Sequence, residues 1–459
     1  MSNKKTVVIA GSVTTQSGYG SHARDIARAL IKSDKYNVKI IAIRWGTTPQ
    51  DALDASREED KIILDRIVPP QMQSPPDIFI HVTIPNEFQR AGKYNIGLTA
   101  GIETTACRSE WIEGCNRMDL VLATSEHSKK VFEISKFEKR NKTTNEVVDI
   151  IQLSKPVEVL FEGIKPEVYN KTINPNSKIV SSLNDIPEDF CFLFVGHWLQ
   201  GNMGEDRKDV GSLIKTFLET FKRKSKRNMP ALILKTSQAG FSMTERKGIL
   251  NKITDIRNMV RAGGWAAPLP NIYVLYGNLT DSEMNDLYNH KKIKAMVSFT
   301  KGEGFGRPLL EFTTTGKPVM ASNWSGQTDF LHPEYSILLP GKLQPVHPSA
   351  TNEWIVEGSQ WFTANYQVAS QHMNGLYENY DQYLEKSRKH RKYTLDNFSF
   401  DKMVEKLTNY IDNIETYASK AIVKPTEPKR AKLNLPKLSK VGSTVPVTKK
   451  ITLPNLTKV

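Results

Sequence analysis

The feature that most restricts this chain is an alternation of short apolar, β-branched runs with helical patterns, repeated twice along its length. In the first half the runs are Thr6–Val13, Val38–Trp45, Asp77–Ile84, Asn95–Ile102, Leu120–Thr124 and Val157–Phe161. Helical segments fall between them. Ser21–Ser33 places Ile26, Leu30 and Ile31 on one face, and Glu126–Ser135 follows the fifth run. Strands separated by helices in this way form parallel sheets covered on both faces. Asn170–Asp189 is polar, carries Pro175, Asn176 and Pro187, and is expected to be a linker.

The second alternation has strands expected at Cys191–Val195, Ala231–Lys235, Ile272–Leu275, Ala295–Phe299 and Pro318–Ala321. Helices are expected at Gly211–Arg223, Thr244–Arg261, Asp281–His290 and Gly306–Thr315. After Phe398 a helical segment to about Ala418 has Met403, Leu407, Tyr410 and Ile414 at helical spacing and can pack back onto either domain. The expected fold is α/β: two doubly wound, Rossmann-like domains facing across a cleft, with ligands at the carboxyl ends of the strands. The expected boundaries are 1–172 for the first domain, 173–189 for the linker, 190–397 for the second domain, 398–421 for the returning helix and 422–459 for a tail.

Composition agrees with this division. A chain of 459 residues is too long for one ordinary core, and 39% hydrophobic residues suffice for large ones. The net charge of +14 is unevenly spread: the segment from Ile422 onward carries nine Lys/Arg against Glu427 alone, or +8. That tail has five prolines and no aromatic residue, so it is expected to stay outside the cores. It holds a short duplication, Leu433-Asn-Leu-Pro-Lys-Leu-Ser-Lys-Val441 and Ile451-Thr-Leu-Pro-Asn-Leu-Thr-Lys-Val459, which reads either as a solvated basic tail or as a docking peptide for an anionic or protein partner. Cys107, Cys115 and Cys191 give no Cys-x-x-Cys pair, which fits a reducing cytoplasm. No apolar run reaches the ~18 residues of a membrane span. Val7–Ala10 is a first strand rather than the core of a signal peptide, because it leads into a polar, Gly-rich stretch.

The most informative segment is Phe299-Thr-Lys-Gly-Glu-Gly-Phe-Gly-Arg-Pro-Leu-Leu-Glu311. A strand ends, a glycine-rich turn follows and a helix begins near Gly306, which together suit an anion such as a diphosphate. Glu303 lies in the turn and Glu311 lies about five residues into the helix, roughly 7–8 Å along its axis. A nucleotide sugar presents hydroxyl pairs on both sides of its diphosphate, so two carboxylates at this spacing can grip both ends. An exposed salt-bridging pair is the bland alternative.

The surrounding context, E-G-F-G, then Glu at +8, then Thr315-Gly-Lys-Pro-Val-Met-Ala-Ser-Asn323 and Gly326, resembles the retaining GT-B glycosyltransferases of glycosyltransferase family 4, or group 1. Gly163-Ile164 resembles that family's interdomain P-x-G-(I/V)-D turn, with Lys165 in place of the Asp. Phe194-Val195-Gly196 followed by Arg207-Lys208 resembles its diphosphate-binding run, with His197 where the family has Arg. Tyr276-Gly277-Asn278 resembles the segment that holds the base, and Ser17-Gly18-Tyr19-Gly20 the glycine loop facing the donor. The resemblance spans roughly residues 5–420 and is most specific in its carboxy-terminal block.

The resemblance implies transfer of a sugar from a nucleotide-diphosphate donor, expected to be UDP-linked, with retention of anomeric configuration. Glu311 would hold the ribose diol and Glu303 the transferred sugar. Gly304, Phe305 and Gly306 would offer backbone amides, and Lys208 would neutralise the diphosphate. Arg207 can supply the charge missing at His197. Lys235 is a further cation at a strand end, or a snorkelling edge lysine. On the acceptor side, Glu103 within Gly101–Arg108 either orients the acceptor or caps its loop. His81, at the end of another strand, reads as a buried, satisfied histidine.

No Asp-x-Asp occurs, and His81, His127 and His197 lie in separate loops, so no metal or cofactor is expected. No Ser-His-Asp order or nucleophile elbow is present. The basic runs Lys222–Arg227 and His290–Lys294 follow helices that start at the cleft, and are expected to be solvated faces at its far side. The acceptor stays open among a hydroxymethylated DNA base, a protein hydroxyl, a lipid and a glycan. A DNA-binding protein on this scaffold, an epimerase and a phosphorylase are the alternative functions.

Overall fold

Runs of Val, Ile and Leu that are apolar on both faces must be covered on both faces, and each run becomes a parallel strand. The computed structural model describes residues 4–141, 143–172, 174–238, 242–420 and 455–458. The first sheet contains β1 (Thr6–Gly11), β2 (Asn37–Ala42), β3 (Ile78–Val82), β4 (Tyr94–Thr99), β5 (Leu120–Ala123) and β6 (Val157–Val159). Its order is β2-β1-β3-β4-β5-β6, parallel throughout. The second contains β7 (Cys191–Val195), β8 (Ala231–Lys235), β9 (Ile272–Tyr276), β10 (Ile293–Ser298), β11 (Val319–Ser322) and β12 (Ile337–Leu339). Its order is β12-β11-β10-β7-β8-β9, also parallel. Each sheet reverses its strand order once, between β1 and β3 and between β7 and β10. Those switch points are where open α/β sheets bind ligands.

The returning helix resolves onto the first domain. Phe400–Asp412 buries Met403, Leu407 and Ile411, and Tyr410 donates to the Val159 carbonyl at 3.0 Å. Gly163 sits beneath it: a Cβ there would lie 2.7 Å from Phe400 Cα, so a side chain at this turn would push the helix away.

The structure adds two elements to these expectations. Within the linker, Lys178–Asn184 is a short helix whose Ile179 and Leu183 are buried. In the tail, Asn455–Lys458 forms β13, antiparallel to the β9 edge, with Asn455 opposite Tyr276. This strand comes from the second copy of the duplicated segment; the first copy, Leu433–Val441, lies outside the described residues. Among the described residues no helix is long and apolar enough to cross a membrane.

Candidate active site

At the second sheet's switch point the loop after β7 meets the loop after β10. Arg207 and Lys208 come from the first loop and Glu303 from the second, and all three converge. Arg207 Nη1 lies 3.1 Å from Glu303 Oε2, and Lys208 Nζ is paired with Glu303 Oε1. Arg207 also donates to the Gly302 carbonyl at 2.9 Å, and the Glu303 amide donates to Ser325 Oγ at 2.9 Å. Burial alone would raise the Glu303 carboxyl, but Lys208 and Arg207 outweigh it and hold it down at about 2.

The opposite domain presses on this cluster. Glu103, in the loop after β4, lies 3.2 Å from Arg207, so the expected acceptor-side carboxylate is a cross-cleft partner of the cationic pair. A Cβ on Gly302 would fall 1.9 Å from the Glu103 carbonyl, and one on Gly304 would fall 2.0 Å from the Ala100 carbonyl. These glycines therefore permit the two domains to close. Gly306 has φ +98, a left-handed value that favours glycine. Phe305 is buried against Phe330, which leaves only its backbone for a ligand. The helix that follows, Arg307–Thr313, is shorter than expected and has Pro308 in its first turn, which removes one of the amides expected to face an anion.

Glu311 sits in a different setting. Arg307 Nε approaches its Oε1 at 3.0 Å and Tyr288 donates to its Oε2 at 3.1 Å. Burial pushes this carboxyl up to about 7 against the pull of Arg307. Arg307 crosses the domain boundary, reaching Asp25 Oδ2 at 2.7 Å and Glu162 at 3.8 Å. Asp25 also receives Lys165 at 2.6 Å. The Lys165 that departs from the family turn is thus balanced by Asp25 on the helix Gly18–Ser33.

The remaining expected donor residues are spread along the cleft. Lys235 donates to the Gly277 carbonyl at 2.8 Å, and burial lowers its ammonium to about 8. Gly277 has φ +113, and Asn278 bridges to Gln16 of the first domain. His197 is kept neutral near pH 7, lowered to about 4 by burial and then by Lys208, Lys235 and Arg207; its Nδ1 lies 3.0 Å from Ser237 Oγ. A Cβ on Gly20 would meet the Thr15 carbonyl at 2.3 Å, so this glycine shapes its own loop, while Gly18 is exposed. Tyr19 stacks on Trp45 at 4.3 Å, and its hydroxyl pairs with Thr99 Oγ1 at 2.9 Å and accepts from the Ala100 amide at 3.2 Å, at the end of β4. His81 is occupied by the Gln89 amide at 3.1 Å.

Several further residues belong to this site. Arg307 stood inside the quoted motif, and the charge change at Lys165 demanded an acid nearby; together they signal Asp25. His22, one turn earlier on that helix, is buried with neither ring nitrogen hydrogen-bonded, and burial lowers it to about 4. An antiparallel hairpin, Gly341–Pro345 and Gln360–Ala364, also reaches the first domain: Thr105 donates to the Gln360 carbonyl at 2.8 Å. The Gln360 amide returns a hydrogen bond to Thr105 Oγ1 at 2.9 Å. Among the described residues, no three His, Cys, Asp or Glu side chains gather as a metal set.

The fold is that of the GT-B glycosyltransferases. Sucrose-phosphate synthase from Thermosynechococcus elongatus superposes with a TM-score of 0.58 at 10% identity, over 90% of this chain and 100% of that one. Anabaena HepE in complex with UDP-glucose gives 0.57 at 14% identity, over 89% and 100%. A glycosyltransferase from Rickettsia africae gives 0.55 at 14%, over 90% and 99%. No protein-family model and no curated protein matches the chain.

Proposed function

We propose that the chain is a retaining glycosyltransferase of the family 4 type, moving a sugar from a UDP-linked donor to an acceptor hydroxyl without a metal. The observation that carries this reading is the convergence of Arg207, Lys208 and Glu303 at the switch point of a GT-B second domain. The resemblance assigns the two cations to the diphosphate and Glu303 to the sugar. UDP and UDP-glucose complexes of the similar HepE support the choice of donor.

With no anion between them, the cations pair with Glu303. Donor entry would transfer Lys208 and Arg207 to the diphosphate and leave the ionised Glu303 to accept hydrogen bonds from sugar hydroxyls. Glu311 would take the ribose diol, exchanging Arg307 for it. In the transfer step the anomeric carbon–oxygen bond to the diphosphate breaks, and a bond to the acceptor oxygen forms on the same face. The acceptor proton passes to the departing diphosphate oxygen, whose growing charge Lys208 and Arg207 stabilise.

The test is release of nucleoside diphosphate from a panel of nucleotide sugars in EDTA, with glycan, lipid, protein and DNA acceptors, and NMR of the product anomer. Release with a retained anomer is expected. An inverted product, or activity abolished by EDTA and rescued by Mn²⁺, would overturn the mechanism.

A further inference from the structure

The second sheet has a second concentration of positive charge, at the end remote from the cleft. Lys291 lies two residues before β10, Lys294 is the second residue of that strand, and Lys317 lies two residues before β11. The helix Tyr380–Asn397 supplies Arg388 and Arg391, and Lys171 arrives from the segment joining the two domains. Together they line a cavity of about 280 Å³ in which no carboxylate takes part. The six-residue β10 separates it from the Glu303 loop by roughly 16–20 Å.

Two properties distinguish this cavity from a solvated basic face. Among the described residues none of the six cations forms an ion pair, whereas Arg207, Lys208, Lys165 and Arg307 all hold carboxylates. Three of the six are also anchored. Lys317 Nζ donates to the carbonyls of Tyr288 and His290 at 2.7 and 2.9 Å, and Arg391 Nε donates to that of Thr314 at 2.8 Å. Lys294 lies over the Tyr380 ring at 5.7 Å. Gly316, at φ +71, forms the floor; its backbone lets the arginines pack close, with Arg391 Cδ 3.6 Å from where a Cβ would stand. Burial lowers the Lys317 ammonium to about 7, with smaller contributions from the neighbouring Lys294 and Lys171.

We propose that this cavity is a second anion site, separate from the donor cleft, that takes a small phosphorylated solute. A phosphate or diphosphate group offers several charged oxygens to the anchored Lys294, Lys317 and Arg391 and to the exposed Lys171, Lys291 and Arg388, and offsets their mutual repulsion. The site ties the interdomain segment at Lys171 to β10, β11 and the helix leading back to the first domain, so its occupant is placed to act on both.

The test is hydrogen exchange of the full chain titrated with inorganic pyrophosphate, following peptides that cover residues 312–320 and 380–395. Saturable protection of both is expected. In Lys294→Gln/Arg388→Gln, whose side chains cap no helix, half-saturation should rise about tenfold or more. The response of residues 299–311, at the cleft, should not change in that variant. Protection confined to the cleft, unchanged half-saturation in the double variant, or an equal response to NaCl at matched ionic strength would overturn the proposal.

Discussion

Glu303 and Glu311 lie eight positions apart on one loop and its helix, and both are buried. Their carboxyls nevertheless move in opposite directions, to about 2 and about 7. Two cations from β7's loop converge on Glu303 with few competitors. Glu311 shares one guanidinium, Arg307, with Asp25 and Glu162, and Glu162 is itself pushed up to about 7 by burial. One position therefore holds a fixed negative charge balanced by two cations. The other holds a proton-sensitive carboxyl inside an interdomain network. Spacing alone cannot distinguish them; what each faces across the cleft does.

The network around Glu311 depends most on Arg307. Arg307→Met leaves Asp25, Glu162 and Glu311 without their shared cation, and removal of one partner from a buried charge cluster costs about 3–5 kcal/mol. Urea unfolding should show that loss.

On the Glu303 side, Lys208→Ala should lower turnover by about 10²–10³-fold, because the leaving diphosphate loses a preorganised charge. Wild-type turnover would remove Lys208 from the chemistry. Gly304→Ala tests closure rather than charge. A methyl aimed at the Ala100 carbonyl should hold the loops apart and cost about 10² in kcat/KM, as misplacement near 1 Å does. Unchanged kinetics would mean that the cleft works open.

Glu311→Gln should weaken UDP binding by about 1.5–3 kcal/mol. Because its carboxyl is raised and the ribose diol needs the ionised form, wild-type affinity should increase as pH rises through about 7, and the variant should not follow. Stability runs the other way: the folded state holds the proton more tightly, so this group's contribution declines from about pH 4.5 toward 7. The smallest effect is expected from deleting 422–459. That removes β13 from the β9 edge but no cleft residue, so UDP affinity should stay unchanged while the melting temperature drops slightly.

Most of the sheet strands were legible because fully buried parallel strands are continuous apolar runs bounded by turn residues; Cys191–Val195 and Ala231–Lys235 matched residue for residue. The exposed hairpin Lys136–Arg140 and Val147–Gln152 was not, since most of its residues face solvent and only Phe137 and Ile151 pack against the core. The Gln360–Ala364 hairpin was hidden by its contacts with distant loops. In the candidate site, the Glu303–Glu311 spacing was legible from local motif chemistry, Arg207 and Lys208 entered only through the family resemblance, and the fold brings Arg207, Lys208 and Glu303 together. The Arg307–Asp25–Lys165 network spans three segments that only the fold brings together, and the pairing of Glu103 with Arg207 depends on domain closure.

A diphosphate-binding role for Lys208 and Arg207 is tested by calorimetric titration of UDP and of uridine into the wild type and Lys208→Ala. The substitution is expected to weaken UDP binding about tenfold or more and to leave uridine affinity unchanged, since charge-assisted hydrogen bonds contribute about 1.5–3 kcal/mol each. Equal UDP affinity in the two proteins, or a parallel loss for uridine, would contradict it.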